Sequence, residues 1–214
     1  MNAGRRRVLP GALAAVLTVV LGTAPAQAAT RRGAGGLVAG RVTAIGDSVM
    51  IDYTPDLVHD VPHVVVDATV GEQWDTGVAV AQQLRAEGQL GTEAIIGLGT
   101  NGPITMVQFD AMLQALHGVQ RIVFVTVHVD QPWQQEVNAV LAAGVRATPD
   151  ARLADWYRLS APHPQWFYGD GTHLPIGGVG AQACAALVAH TLLAPAPVVH
   201  PAHSGAGKRS GWAG

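Results

Sequence analysis

Between residues 37 and 193, short apolar runs alternate with longer amphipathic stretches. The runs over 41–45, 63–68, 93–97, 121–129 and 152–154 have the length and composition of β-strands. Ile122, Val123, Phe124, Val125, Val127 and Val129 form a nearly continuous β-branched and aromatic series. Such a series suits a strand buried on both faces of a parallel sheet. The intervening stretches carry apolar residues at helical spacing. Thr105 followed by Gln108 reads as a capping box, opening a helix whose apolar stripe is Met106, Phe109, Leu113 and Leu116. Trp133, Val137, Val140 and Leu141 mark a second stripe, and Val179, Ala183 and Leu187 a third. Strand–helix alternation of this kind predicts an α/β fold, a three-layer α/β/α sandwich around a central parallel sheet of about five strands.

In open α/β sheets, sites form beyond the carboxyl ends of the strands. The residues with chemical potential fall there. Ser48 follows the first strand, Gly71 the second and Asn101 the third, while Asp170 and His173 lie beyond the fifth. A serine hydroxyl becomes a nucleophile when a base takes its proton, and imidazole performs this near neutral pH. Asp170, three residues before His173, is placed to orient the ring. Ser48, Asp170 and His173 are therefore the catalytic candidates. The backbone N–H groups of Ser48 and Gly71 and the Asn101 amide are candidate oxyanion donors. The structural alternatives are a helix N-cap for Ser48 and a turn role for Asn101. Trp74, His128 and Trp133 are acceptor-side candidates by rim position, with core packing open for Trp133. Asp130, after the fourth strand, is a weak cation candidate and reads rather as a helix cap or a substrate contact.

The chain has no H-E-x-x-H pattern, no cysteine pair and no phosphate-binding glycine fingerprint, so neither a metal nor a cofactor is expected. G-x-S-x-G is also missing, because Met50 occupies its last position.

Composition adds the compartment. Arg5–Arg7, an apolar segment over 8–21 and Ala26-Gln27-Ala28 read as a secretory leader over 1–28. The apolar segment is shorter than the ~18 residues of a spanning helix, so no lasting membrane insertion is expected. Residues 29–36 read as a linker, and 194–214, rich in Pro, His, Gly and Ser, as a disordered tail. Without the leader, ten basic side chains face fifteen acidic ones, a net charge of about −5. That balance argues against a nucleic-acid partner. Cys184, the single cysteine, lies in an apolar helical stretch and reads as buried. A secreted protein on the cell-wall side, without lipid anchor or sorting motif, is the expectation.

Gly46-Asp47-Ser48, Gly71, Gly99-Thr100-Asn101 and Asp170-Gly171-Thr172-His173 resemble four sequence blocks of the SGNH (GDSL-type) hydrolases. Residues 44–50, 66–71, 96–102 and 166–173, with Gln131-Pro132-Trp133 and Glu136-Val137-Asn138, resemble the extracellular domain of bacterial peptidoglycan O-acetyltransferases. The resemblance spans about residues 41–193. It implies a flavodoxin-like SGNH fold and a secreted serine-dependent O-acetyl esterase or O-acetyltransferase. The donor would be an acyl ester, and the acceptor water or a carbohydrate hydroxyl. Gly102 departs from the aspartate that many SGNH members carry there. Those transferases also place a multi-pass membrane domain ahead of the catalytic one. With a leader in that place, transferase activity would need a separate membrane acyl-donor protein or another donor. A general esterase or lipase, and a non-catalytic glycan-binding module, are the alternatives.

Overall fold

The computed structural model describes residues 38–194. The leader, the linker and the C-terminal tail expected from sequence lie outside the described residues. The elements run β1 (Val38–Gly46), α1 (Ser48–Asp60), β2 (Val64–Ala68), α2 (Trp74–Ala86), β3 (Gly91–Gly97), α3 (Met106–Ala115), β4 (Arg121–Val125), α4 (Gln134–Ala147), β5 (Ala151–Ala154), α5 (Trp156–Ser160) and α6 (Val179–Leu193). A single 3₁₀ turn, Pro164–Trp166, follows α5.

All five strands are parallel, in the order β2-β1-β3-β4-β5. Because successive strand residues point to opposite faces, neighbours in sequence separate into two cores. Ala44, Ile95 and Val123 join Met50, Tyr53 and Leu57 of α1 and Cys184, Ala185 and Val188 of α6. Ile45, Ile96 and Phe124 join Val78 of α2, Phe109 and Met112 of α3, and Val137 and Leu141 of α4. The expected three-layer α/β/α sandwich is the observed fold. Cys184 is fully buried, and burial pushes its thiol well above the usual range.

Three sequence expectations need correction. The fourth strand ends at Val125 rather than at 129. Beyond that point neither neighbouring strand continues, since β3 ends at Gly97 and β5 at Ala154. Side chains of α4 take over the pairing. The Asn138 amide accepts from Val127 N–H at 2.8 Å and donates to Val127 C=O at 2.9 Å. Gln134 Oε1 accepts from Val129 N–H at 2.7 Å. The run stays buried, but it is diverted from the sheet to form a wall of the site.

In α3 the capping box forms, yet the buried residues are Phe109, Met112 and Ala115, with Leu116 just beyond; Met106 is exposed and Leu113 only half-buried. Phe109 sets this rotation by lying against Gly144 of α4, where an added Cβ would fall 2.3 Å from its ring. In α6 the stripe is Gly180, Ala181, Cys184, Ala185, Val188, Ala189 and Leu192, while Val179 is 65% exposed. That helix is apolar on nearly every face, so its periodicity points in no one direction. Close packing decides it: a Cβ on Gly180 would lie 2.8 Å from Trp166 Cβ.

Candidate active site

Strand order 2-1-3-4-5 places a topological switch point between β1 and β3: the chain leaves β1 toward β2 on one side and β3 toward β4 on the other. Crevices at such points are where α/β sheets bind ligands. Ser48 opens α1 directly after β1, and Thr100 and Asn101 follow β3. Asp47 N–H donates to Gly97 C=O at 3.1 Å, which ties the two strand ends together.

Asp47 caps α1. Its Oδ1 accepts from Val49 N–H at 3.1 Å and its Oδ2 from Thr100 N–H at 3.3 Å. One carboxylate thus holds the helix carrying Ser48 and the loop carrying Asn101. The side chain is completely buried, and desolvation raises its pKa to about 6 against the lowering pull of its Thr100 and Val49 hydrogen bonds. Gly46 allows the tight start of α1, since a Cβ there would fall 2.5 Å from Met50 Cβ.

His173 approaches from the loop before α6. Its Nε2 lies 2.9 Å from Ser48 Oγ, and its Nδ1 lies 2.8 Å from Asp170 Oδ2. The other carboxylate oxygen of Asp170 accepts from the backbone N–H groups of Thr172 and His173, each at 3.0 Å. These donors, with Thr172 N–H the largest influence, hold the Asp170 carboxyl down at about 2. An ionised Asp170 accepts a hydrogen bond from Nδ1–H, which leaves the Nε2 lone pair aimed at the Ser48 hydroxyl. Gly171, at φ +67°, makes the turn that places a carboxylate and an imidazole three residues apart on one hydrogen bond.

The expected oxyanion donors occupy adjoining loops. Ser48 N–H belongs to the first turn of α1, where no intrahelical acceptor exists. Gly71 has φ +76° in the β2–α2 turn. Asn101 Nδ2 donates to Glu72 C=O at 3.2 Å, leaving its second amide hydrogen free of that bond. Gln73, which sequence reading missed, braces the two loops. Its Nε2 lies 3.4 Å from Gly71 C=O and 3.2 Å from Asn101 C=O. Its place just ahead of α2, two residues after Gly71, is the only trace it leaves in the sequence.

A cleft of about 350 Å³ opens over these groups, lined by Ser48, Thr100, Asn101, Val129, Asp130, Gln131, Trp133, Asp170, Thr172 and His173. Of the three acceptor-side candidates, only Trp133 lines it. Trp133 is half-buried and donates from Nε1 to Thr100 C=O at 3.3 Å. Trp74 is 4% exposed and belongs to the core. It stacks near Phe109 and Phe124 and donates to Gln108 C=O at 2.8 Å. His128 is turned to the other side of the β4 extension, because alternation along the run sends its side chain away from Val127 and Val129. There it packs on Phe167, places Nδ1 2.6 Å from Ser160 Oγ and lines a neighbouring pocket, shared with Asp47, Met50 and Thr126, rather than the cleft. Burial lowers its pKa. Asp52, also missed, accepts from Leu174 N–H at 2.9 Å one residue beyond His173.

Among the described residues, no group of three or more His, Cys, Asp or Glu is arranged to hold a metal ion. None of their helices is long and apolar enough to cross a membrane.

No family model matches the chain. It is 34% identical to peptidoglycan O-acetyltransferase OatA of Listeria monocytogenes over 148 residues, 69% of this chain and 23% of that protein. It is 32% identical to O-acetyltransferase OatA of Staphylococcus aureus over 135 residues, 63% of this chain and 22% of that one. The chain therefore spans less than a quarter of the length of these curated relatives. Among solved structures, it resembles the C-terminal catalytic domain of Streptococcus pneumoniae peptidoglycan O-acetyltransferase A with a methylsulfonyl adduct. The TM-score is 0.62 at 22% identity, over 74% of this chain and 91% of that domain. A carbohydrate esterase family 3 structure from Talaromyces cellulolyticus aligns with a TM-score of 0.56 at 15% identity, over 70% of this chain and 94% of that one. The chain carries the SGNH (GDSL-type) hydrolase fold and is related in sequence to the peptidoglycan O-acetyltransferases.

Proposed function

We propose that this protein is a serine-dependent O-acyl enzyme acting on hydroxyls of cell-wall carbohydrate, by transfer or hydrolysis of an acetyl group. The observation that carries the reading is the continuous hydrogen-bond chain from Ser48 Oγ through His173 to Asp170, with links of 2.9 and 2.8 Å. His173 Nε2 takes the Ser48 proton as Oγ attacks the donor carbonyl. The tetrahedral oxyanion is received by the N–H groups of Ser48 and Gly71 and by the Asn101 amide. Collapse expels the donor alcohol, which takes the proton from His173, and leaves an acyl ester on Ser48. A second hydroxyl, from water or a sugar, then gives its proton to His173 and attacks that ester; collapse breaks the acyl–Oγ bond and Ser48 Oγ takes the proton back from His173. Throughout, ionised Asp170 stabilises the imidazolium and fixes its tautomer.

The acceptor reading rests on the relatives, which are named as O-acetyltransferases, that of Listeria monocytogenes explicitly of peptidoglycan. The half-buried indole of Trp133 in the cleft wall supports it, as an apolar surface beside the nucleophile. We place the protein outside the cell, delivered by a leader, with an acyl donor supplied by a membrane protein or another source.

The test is incubation of purified protein with an activated acetyl ester, with and without chito-oligosaccharide or peptidoglycan fragments. Acetylated sugar in the mass spectrum marks transfer, and acetate alone marks hydrolysis. Ser48→Ala is expected to lower turnover by at least ~10⁴-fold. Full turnover by that variant would remove the acyl-serine reading, and glycan binding by an inert wild type would make the protein a binding module.

A further inference from the structure

The loop that presents His173 is held largely by itself. Tyr168 N–H donates to His173 C=O, Gly171 N–H to Tyr168 C=O, and Thr172 and His173 N–H to Asp170. Among the described residues, two hydrogen bonds tie the stretch 168–174 to the helix that bears the nucleophile. One is the reacting contact, His173 Nε2 to Ser48 Oγ. The other runs from Leu174 N–H to Asp52 Oδ2 at 2.9 Å, across 122 residues of sequence. Asp52 and Ser48 stand four residues apart in α1, so they share one face of the helix. The Leu174 side chain is fully buried in the α1–α6 core, which keeps its N–H in register with that face.

We propose that Asp52 is a positioning residue that keeps His173 over Ser48 once the nucleophile is acylated, an inference that rests on the acyl-serine reading above. Acylation converts Ser48 Oγ–H into an ester oxygen. The direct contact to Nε2 then loses its hydrogen, while the Asp52–Leu174 bond is untouched by the chemistry. Deacylation needs Nε2 at hydrogen-bond distance from the incoming hydroxyl, which must deliver its proton there as it attacks the acyl carbon. The bond from Asp52 holds that geometry through the half of the cycle in which Ser48 no longer does.

Helix α1 holds this residue at a cost: burial raises the Asp52 carboxyl above its usual range, against the lowering pull of the Leu174 N–H bond and of His173.

The experiment compares wild type, Asp52→Ala, Asp52→Asn and Ser48→Ala with an activated acetyl ester. It follows steady-state kinetics, the intact-mass signal of acetylated enzyme, and thermal melting. Asparagine keeps a side-chain oxygen that can accept from Leu174 N–H; alanine does not. Asp52→Ala is expected to lose about tenfold or more in kcat with KM little changed, and to accumulate acetyl-enzyme, as expected for a misplaced base. Asp52→Asn is expected to keep kcat within about threefold of wild type, by the same geometric argument. Wild-type kcat in the alanine variant, or loss in the asparagine variant as large as in alanine, would overturn the proposal. If Asp52→Ala melts below the assay temperature, Asp52→Leu, which keeps side-chain bulk but has no acceptor for Leu174 N–H, takes its place in the comparison with Asp52→Asn. Turnover by Ser48→Ala would instead strike the reading beneath the proposal.

Discussion

Asp47 and Asp170 flank one hydrogen-bond chain, Asp47 next to Ser48, the proposed nucleophile, and Asp170 behind His173, the proposed base. Their surroundings drive them in opposite directions. Asp47 is fully buried at the junction of β1, α1 and the Asn101 loop, and desolvation raises its pKa to about 6. Asp170 has a half-exposed side chain, and the backbone donors of its own turn pull it down to about 2. The nucleophile side is therefore a rigid, buried junction maintained at an electrostatic cost. The base side is a solvent-facing turn that satisfies its carboxylate locally. One acid shapes the site, and the other is kept charged beside His173.

Asparagine substitutions separate these roles. Asp170→Asn is expected to lower kcat by ~10³–10⁴ with the melting temperature nearly unchanged, because the amide no longer enforces the Nδ1–H tautomer. An equal loss of stability would mean that the turn is structural rather than electronic.

Asp47→Asn should act on stability instead, in a pH-dependent way. In wild type the folded pKa lies above the unfolded value of 3.8, so between about pH 4 and pH 6 the native state binds more protons than the unfolded chain. The Asp47 contribution is present below pH 4 and lost as pH rises through 6, amounting to about 3 kcal/mol for a shift of roughly two units. Stability of the variant relative to wild type should accordingly rise across that window in denaturant titrations. A difference independent of pH would show that Asp47 is not the group that titrates there.

Smaller effects come from the glycines of the two regions. Gly46→Ala drives a Cβ to within 2.5 Å of Met50 Cβ and is expected to cost ~1–3 kcal/mol through overpacking. Gly171→Ala meets open space and pays only for its positive φ, about 1 kcal/mol or somewhat more. Chemical denaturation of the pair measures how much stiffer the nucleophile side is. Equal costs would erase the contrast.

Much of this was legible in the chain. Apolar runs after a polar break announced β1, β2 and β3, and the Thr105–Gln108 capping box announced α3, because both signals are local. Ser48, Asn101, Asp170 and His173 were readable as one rim once strands and helices were counted. Their geometry now places Ser48, His173 and Asp170 on one hydrogen-bond chain and Asn101 in the same cleft. Trp74 and Trp133 show where local reading stops. Both indoles sit at the front of a helix near the rim, yet Trp74 faces Phe109 and Phe124 in the core while Trp133 lines the cleft. His128 shows it again, since a run that reads as strand to residue 129 leaves the sheet at Val125 and turns the imidazole toward Ser160.

By itself, then, the sequence determined the alternation of strand and helix, the parallel sheet and which side chains are the candidate reactive groups. These follow from periodicity, turn chemistry and the chemistry of single side chains, all encoded within a few residues. The tertiary structure alone decided which face of α6 is buried, where β4 ends, that Gln73 links the Gly71 and Asn101 loops, and that Asp52 reaches Leu174. Each of these depends on a partner 28 to 122 residues away or on a neighbouring element's packing. Periodicity within one segment carries no record of such partners.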